Sequence, residues 1–154
     1  MTRITQGWSR WVRSPRHGIA RGVAVFGSPG FQKDPEALAD LLADCSQLRA
    51  WAQSHGLHLD DSPESLIALD DALDRFADQQ ATQRLASEAG RYLGTVLARH
   101  GDGARWQVWP NGHPVIRLPS GHDLDVVATV DDASRAGKLE LAKRYAGAIT
   151  GQPS

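Results

Sequence analysis

From Asp34 onward the apolar positions fall into two periods, first helical and then alternating. Leu38, Leu41, Leu42, Cys45, Leu48, Trp51 and Ala52 recur at helical spacing, which predicts a first helix over roughly 35–54, ending near Gly56. Asp34-Pro35 supplies its start: an aspartate that caps, then a proline with no N–H to lose. Ser62-Pro63 repeats that signal ahead of Leu66, Leu69, Leu73 and Phe76, the apolar stripe of a second helix over roughly 63–78. Its other face carries Asp70, Asp71, Asp74 and Asp78. These read as a solvated face, or alternatively as an acidic stripe for a basic segment to cover. Leu85, Ala89, Tyr92, Leu93, Val96 and Leu97 predict a third helix over roughly 81–100. Gly90 and Gly94 lie four apart on it, at a cost of about 1 kcal/mol each relative to alanine. A helix accepts that cost where another element packs close to its backbone.

After Gly101-Asp102-Gly103 the period changes. Arg105 to Trp109 alternates, Asn111-Gly112 is a strong hairpin signal, and Val115 to Leu118 forms the return strand. Ser120-Gly121 marks a second turn. Leu124 to Val130 is expected as a third strand, with Val126-Val127 buried on both faces. Asp131 or Asp132 would then start a last helix over roughly 133–148. The order is three helices, a three-stranded antiparallel meander and a C-terminal helix: an α+β domain over 34–150, with helices on one face of the sheet. Alternation sets Trp106 and Val108 on one face of the hairpin and Gln107 and Trp109 on the other. Only one of the two tryptophans can face the helices. Trp109 is the expected outer residue and a candidate anchor for a partner.

Charge changes this picture at the N-terminus. The net charge of −1 hides an asymmetry: residues 1–33 hold five Arg, one Lys and no acidic residue, whereas residues 34–154 hold eleven basic and eighteen acidic groups. A cationic leader of +6 therefore precedes an anionic body of −7. The leader interleaves Trp8 and Trp11 with Arg3, Arg10, Arg13, Arg16 and Arg21, and Gly7, Pro15, Gly18 and Gly22 break any long helix. GVAVFGSPGF follows, with Ser28-Pro29-Gly30 as a turn signal. Residues 1–33 read as an appendage, weakly structured unless docked. Arginine with tryptophan suits a protein surface, a nucleic acid or an anionic membrane, by charge combined with stacking or burial.

Candidate chemistry is sparse. Cys45 is the single cysteine, which excludes an intramolecular disulfide, and its place on an apolar stripe suits a structural thiol. No apolar run approaches the roughly 18–20 residues that span a bilayer, and Arg21 breaks the short run from Ile19 to Phe26, so a cytoplasmic location is expected. No GxxxxGK[ST] or GxSxG pattern occurs. His55 and His58 lie near Asp60 and Asp61 in the loop after the first helix, a weak metal-ligand pattern. His113 and His122 fall at turns on opposite ends of the second strand, roughly 15 Å apart at about 3.3 Å per residue. That separation argues against one shared metal. Asp123 is expected in the turn, and Asp125 as a cap or as the cross-strand partner of Arg117.

The segments LDDSPESLIALDDALD, EAGRYLGTVLARH and WQVWPNGHPVIRLPSGHDLDVVA together resemble a small family of uncharacterised proteins from high-GC bacteria. The resemblance covers roughly residues 36–148, leaves the leader outside, and implies only that this helix-then-hairpin module recurs as a unit. It carries over no catalytic residue.

These observations lead to a non-enzymatic binding or accessory protein. It would dock to a protein partner or larger assembly through Trp8, Arg10, Trp11, Arg13, Arg16 and Arg21 of the leader, through Trp109 on the sheet face, or through both. No cofactor, metal or small-molecule substrate is expected. Three alternatives belong to other classes: a toxin-neutralising immunity protein whose acidic helix faces cap a basic toxin, a nucleic-acid or anionic-membrane binder working through the leader, and a small hydrolase centred on His122 and Asp125.

Overall fold

The computed structural model describes residues 34–151. Four helices precede the sheet among these residues, rather than three: α1 (Pro35–Ala43), α2 (Ser46–Ser54), α3 (Pro63–Phe76) and α4 (Gln79–His100). The strands are β1 (Arg105–Val108), β2 (Pro114–Arg117) and β3 (Asp123–Leu124), and two helices follow, α5 (Val126–Arg135) and α6 (Leu141–Thr150). The architecture is α+β, with a three-stranded antiparallel sheet in the order β1-β2-β3 and a helix at the C-terminal end.

The local start signals act as expected. Asp34 accepts the Ala37 N–H at 3.0 Å, and Ser62 accepts the Ser65 N–H at 3.2 Å. The expected helix 35–54, however, breaks at Asp44–Cys45. The break exposes new helix-start N–H groups, and Cys45 offers no side-chain cap. Glu88 of α4 fills that role, its Oε1 accepting the Leu48 N–H at 3.0 Å. Both halves of the apolar stripe, Leu38 and Leu42 on α1 and Leu48 and Ala52 on α2, thereby reach the core.

The second departure lies after β2. The expected strand Leu124–Val130 is reduced to Asp123–Leu124, and Val126–Val130 is helical. Asp125 begins α5 by accepting the Ala128 N–H at 3.0 Å. Asp131 and Asp132 therefore fall within α5 instead of starting a helix. Val126 and Val127 are buried, as the pair suggested, but against helix α4 rather than inside a sheet. Packing explains why β-branched residues adopt a helix here. A Cβ on Gly90 would stand 2.8 Å from the Val127 Cα and 2.9 Å from the Val126 carbonyl oxygen. Only a residue without a side chain lets α5 lie this close across α4. At Gly94, one turn on, a Cβ would overlap the Trp106 ring.

The sheet register pairs Trp106 with Ile116, Gln107 with Val115 and Arg105 with Arg117, then Arg117 with Asp123. Trp106 and Ile116 face the helices and are buried with Leu93, Leu97 and Val126 in one core. The opposite face carries Arg105, Gln107, Trp109, Val115 and Arg117, as the alternation required.

Candidate functional site

The hairpin brings its polar residues together in a different pairing from the one expected. The β1–β2 turn is closed by the Trp109 N–H donating to the His113 carbonyl at 3.0 Å and the Gly112 N–H donating to the Trp109 carbonyl at 2.8 Å. Gly112 takes φ +85°, the left-handed value an Asn-Gly turn provides. This places Trp109 on the outer sheet face beside β3. Its indole N–H donates to Asp123 Oδ2 at 2.7 Å, and Arg117 grips the same carboxylate through Nε and, at 3.1 Å, through Nη2. Arg117, and then Trp109, hold the Asp123 carboxyl down to about 2. The carboxylate in turn raises the Arg117 guanidinium further.

The cross-strand partner of Arg117 is thus Asp123, not Asp125. The register sets Arg117 opposite Asp123, and Asp125 lies beyond β3 where the chain has already turned into α5. Asp125 does cap, and its carboxylate also receives His113 Nε2 at 2.8–2.9 Å. A carboxylate only accepts, so His113 carries its proton on Nε2. The His113 and Trp109 rings meet at 5.9 Å between centroids. His122 is exposed, and its Nδ1 lies 3.2 Å from the Ser120 hydroxyl. The pair proposed for a hydrolase, His122 with Asp125, is therefore not the pair that forms: Asp125 takes His113 instead.

Other candidates resolve into structural roles. The Cys45 thiol is fully buried, lies 3.4 Å from the Glu88 carbonyl, and is pushed up to about 12 by burial. His55 stacks against Phe76 at 4.9 Å and accompanies Trp51, while Asp61 binds Arg49 at 2.9 Å. Among the described residues no cluster of three or more His, Cys, Asp or Glu side chains is arranged to hold a metal. The face of Asp70, Asp71, Asp74 and Asp78 is not simply solvated. Asp70 accepts the Leu141 and Ala142 N–H groups, both at 2.9 Å, and so caps α6, whose own first residues offer no side-chain cap. Burial raises the Asp70 carboxyl in spite of these bonds. Asp78 caps α4, Asp71 pairs with Arg75 and Asp74 lies 3.4 Å from Lys138.

One constellation left no trace in the sequence pattern. Arg49, inside α2, donates to the Leu59 carbonyl, the Ala43 carbonyl and Asp61, and it lies over the Tyr92 ring at 5.3 Å. The Tyr92 hydroxyl in turn accepts the Asp61 N–H at 2.9 Å and meets Ser65 Oγ at 2.6 Å. Asp61, at φ +65°, is held in the left-handed region by these contacts. This network clamps the loop between α2 and α3. Its members come from three elements far apart in sequence, and each looks unremarkable alone.

The leader residues Trp8, Arg10, Trp11, Arg13, Arg16 and Arg21 lie outside the described residues. Among the described residues no helix is long and apolar enough to cross a membrane. No curated protein and no solved structure matches the chain. Residues 9–150 match a family described as a family of unknown function (DUF6278), and the chain belongs to that family. The match begins well inside the basic leader, so it extends further than the resemblance over 36–148 and takes in most of the segment that resemblance left out.

Proposed function

We propose that this member of a family without an assigned activity is a cytoplasmic, non-enzymatic binding or accessory protein, docking to a protein partner through its leader and its outer sheet face. The observation that carries this reading is the setting of Trp109. A half-buried tryptophan, fixed by a 2.7 Å bond to Asp123, stands on the same sheet face as Arg117 and the exposed Arg105. Rigid tryptophan and arginine are the residues that dominate interface hot spots. Arg105 and Arg117 stand directly opposite each other, a like-charge pairing that an isolated sheet disfavours. Asp123 answers Arg117, and Arg105 makes no ion pair among the described residues. An acidic group on a partner would complete the arrangement.

The hairpin histidine and carboxylates support binding over catalysis because each is engaged in holding the fold. Asp125 caps α5 and orients His113, and Asp123 ties two strands. A small hydrolase remains the competing reading, since a His–Asp pair is also the orienting half of a catalytic triad. The immunity-type and nucleic-acid or membrane readings compete on the identity of the partner.

A photo-cross-linking residue placed in turn at Trp8, Trp11 and Trp109 of the full chain, in its source cells, separates them. The expected result is a single protein adduct shared by at least one leader position and position 109. Adducts to nucleic acid or lipid alone would move the function to the leader-driven alternative. The absence of any adduct at all three positions would remove the binding reading.

A further inference from the structure

A cavity of about 280 Å³ lies where the second half of α3, the start of α4 and the loop entering α6 meet. No residue of the hairpin lines it, so it is separate from the outer sheet face. Leu73 and Leu139 give it apolar walls, and three acidic side chains and two lysines ring it. The lysines are already answered: Lys138 lies 3.4 Å from Asp74, and Lys143 lies 3.8 Å from Glu140. Asp70 is left without a cation among the described residues. Its two oxygens accept one N–H each, from Leu141 and Ala142. A carboxylate has about four acceptor positions, so some of its capacity is unused. Burial, with the charges of Asp74 and Glu140 adding to it, raises the Asp70 carboxyl in spite of both bonds. Thr82 supplies an independent observation. It is only 5% exposed, yet its hydroxyl has no hydrogen-bond partner among the described residues. A helical threonine can donate to the carbonyl one turn back, as Thr95 does to Arg91 and Thr150 does to Ala146. Thr82 makes no such bond and lines the cavity instead. Few polar groups this deep in a fold go without a partner.

We propose that this cavity binds a primary alkylammonium group, with the Asp70 carboxylate and the Thr82 hydroxyl accepting its N–H donors and Leu73 and Leu139 covering its hydrocarbon chain. Charge selects a cation, because the lining carries one more carboxylate than lysines and the surplus carboxylate is the one without an ionic partner. The donor set selects the kind of cation. Among the described residues no three His, Cys, Asp or Glu side chains converge as metal ligands. An ammonium brings three donors and no acceptor, which suits a site of free acceptors, and its chain suits the leucine walls. Size sets the upper bound. The cavity holds about nine waters at roughly 30 Å³ each, so the bound part has fewer than about ten non-hydrogen atoms. Free amines and the lysines of other proteins share this group. The inference uses neither the leader nor the sheet face, so it stands or falls separately from the binding proposal.

Titration of the full chain, followed through the amide NMR signals of Thr82, Leu139 and Lys143, tests it with butylamine, butan-1-ol, butyrate and Nα-acetyl-lysine methylamide at pH 7. The expected result is saturation of one site by an amine below about 10 mM, within what so small a ligand can supply, and no saturation by the alcohol or the acid. Thr82→Val keeps the side-chain shape and removes the hydroxyl. It should weaken amine binding at least about fivefold, with an unfolding midpoint no lower than the native chain's, because that hydroxyl holds nothing in the fold. Asp70→Asn should weaken it at least about tenfold. Should Asp70→Asn loosen α6, Thr82→Val alone decides. Butylamine binding at least as tightly as the capped lysine assigns the site to a free amine, and the reverse order assigns it to a lysine of another protein; both uphold the ammonium site. No saturation by either amine overturns the inference. So does equal amine binding by the native chain and Thr82→Val, or butyrate binding as tightly as butylamine.

Discussion

The crossing of α5 over α4 and the turn end of the hairpin meet at Asp125, which caps the helix on one side and holds His113 on the other. At the crossing, contact is made by leaving side chains out. Gly90 lets the backbone at Val126 and Val127 come within a distance that no Cβ permits, and Gly94 admits the Trp106 ring. At the hairpin the contact is made by long polar side chains, with Arg117 and Trp109 converging on Asp123. The first kind of joint responds to volume and is indifferent to pH. The second accepts small changes of volume and responds to charge. The body is thus closed by packing beneath the sheet and by charge at its rim, and the rim is where a partner would meet it.

The largest effect is expected where volume matters most. Gly90→Ala places a methyl group against backbone atoms that cannot rotate away, and it should lower stability by about 3 kcal/mol, read from urea unfolding. A change below about 0.5 kcal/mol would show that α5 does not lie this close. Asp125→Ala joins the two regions and comes next. Loss of the α5 cap should cost about 1 kcal/mol, and Asp125→Asn, which keeps an acceptor for the Ala128 N–H, should recover most of it. An Asn variant as unstable as the Ala variant would mean that the bond to His113, not the cap, is the important one.

Acid unfolding sharpens the contrast. Asp123 titrates lower in the folded chain, at about 2, than in the unfolded one. Its contribution to stability is therefore complete above the ordinary carboxylate range, and it is lost as pH falls from about 4 towards 2. The stability gap between the native chain and Asp123→Asn should narrow across that interval, while the effect of Gly90→Ala stays constant. A gap independent of pH would contradict the Arg117–Asp123 tie. The smallest effect is at Cys45. With its thiol pushed up to about 12, a thiol reagent at pH 8 should modify it only at the rate of unfolding. Rapid modification of the native chain would show that the α1–α2 break is open.

The sequence disclosed what is encoded locally. Asp34-Pro35, Ser62-Pro63 and Asn111-Gly112 each act within a few residues, and each forms the cap or turn its chemistry requires. Gly90 and Gly94 announced a close approach without saying what approaches. The departures all depend on distant partners. The helix break at Asp44–Cys45 is completed by Glu88, and the start of α6 by Asp70, across 40 and 71 residues respectively. Val126–Val130 reads as a strand by its β-branched residues, yet the space above Gly90 and the Asp125 cap make it a helix, since tertiary packing overrides weak local preference. The cap expected of Asp125 forms, but the cross-strand bond to Arg117 falls to Asp123, because the ladder ends at Leu124 instead of running through Val130. Trp109 was legible as the outer tryptophan by alternation alone. Its bond to Asp123 was not, since it crosses from β1 to β3 over the turn.

The most direct test of the binding account is quantitative co-purification from source cells, comparing the full native chain with a full-length variant in which Trp8, Arg10, Trp11, Arg13, Arg16 and Arg21 are all replaced by alanine. The account predicts that a stoichiometric protein partner falls at least about tenfold, a loss of about 1.4 kcal/mol or more, while the unfolding midpoint of the body is unchanged. Equal recovery of every co-purifying protein by the two chains would contradict it.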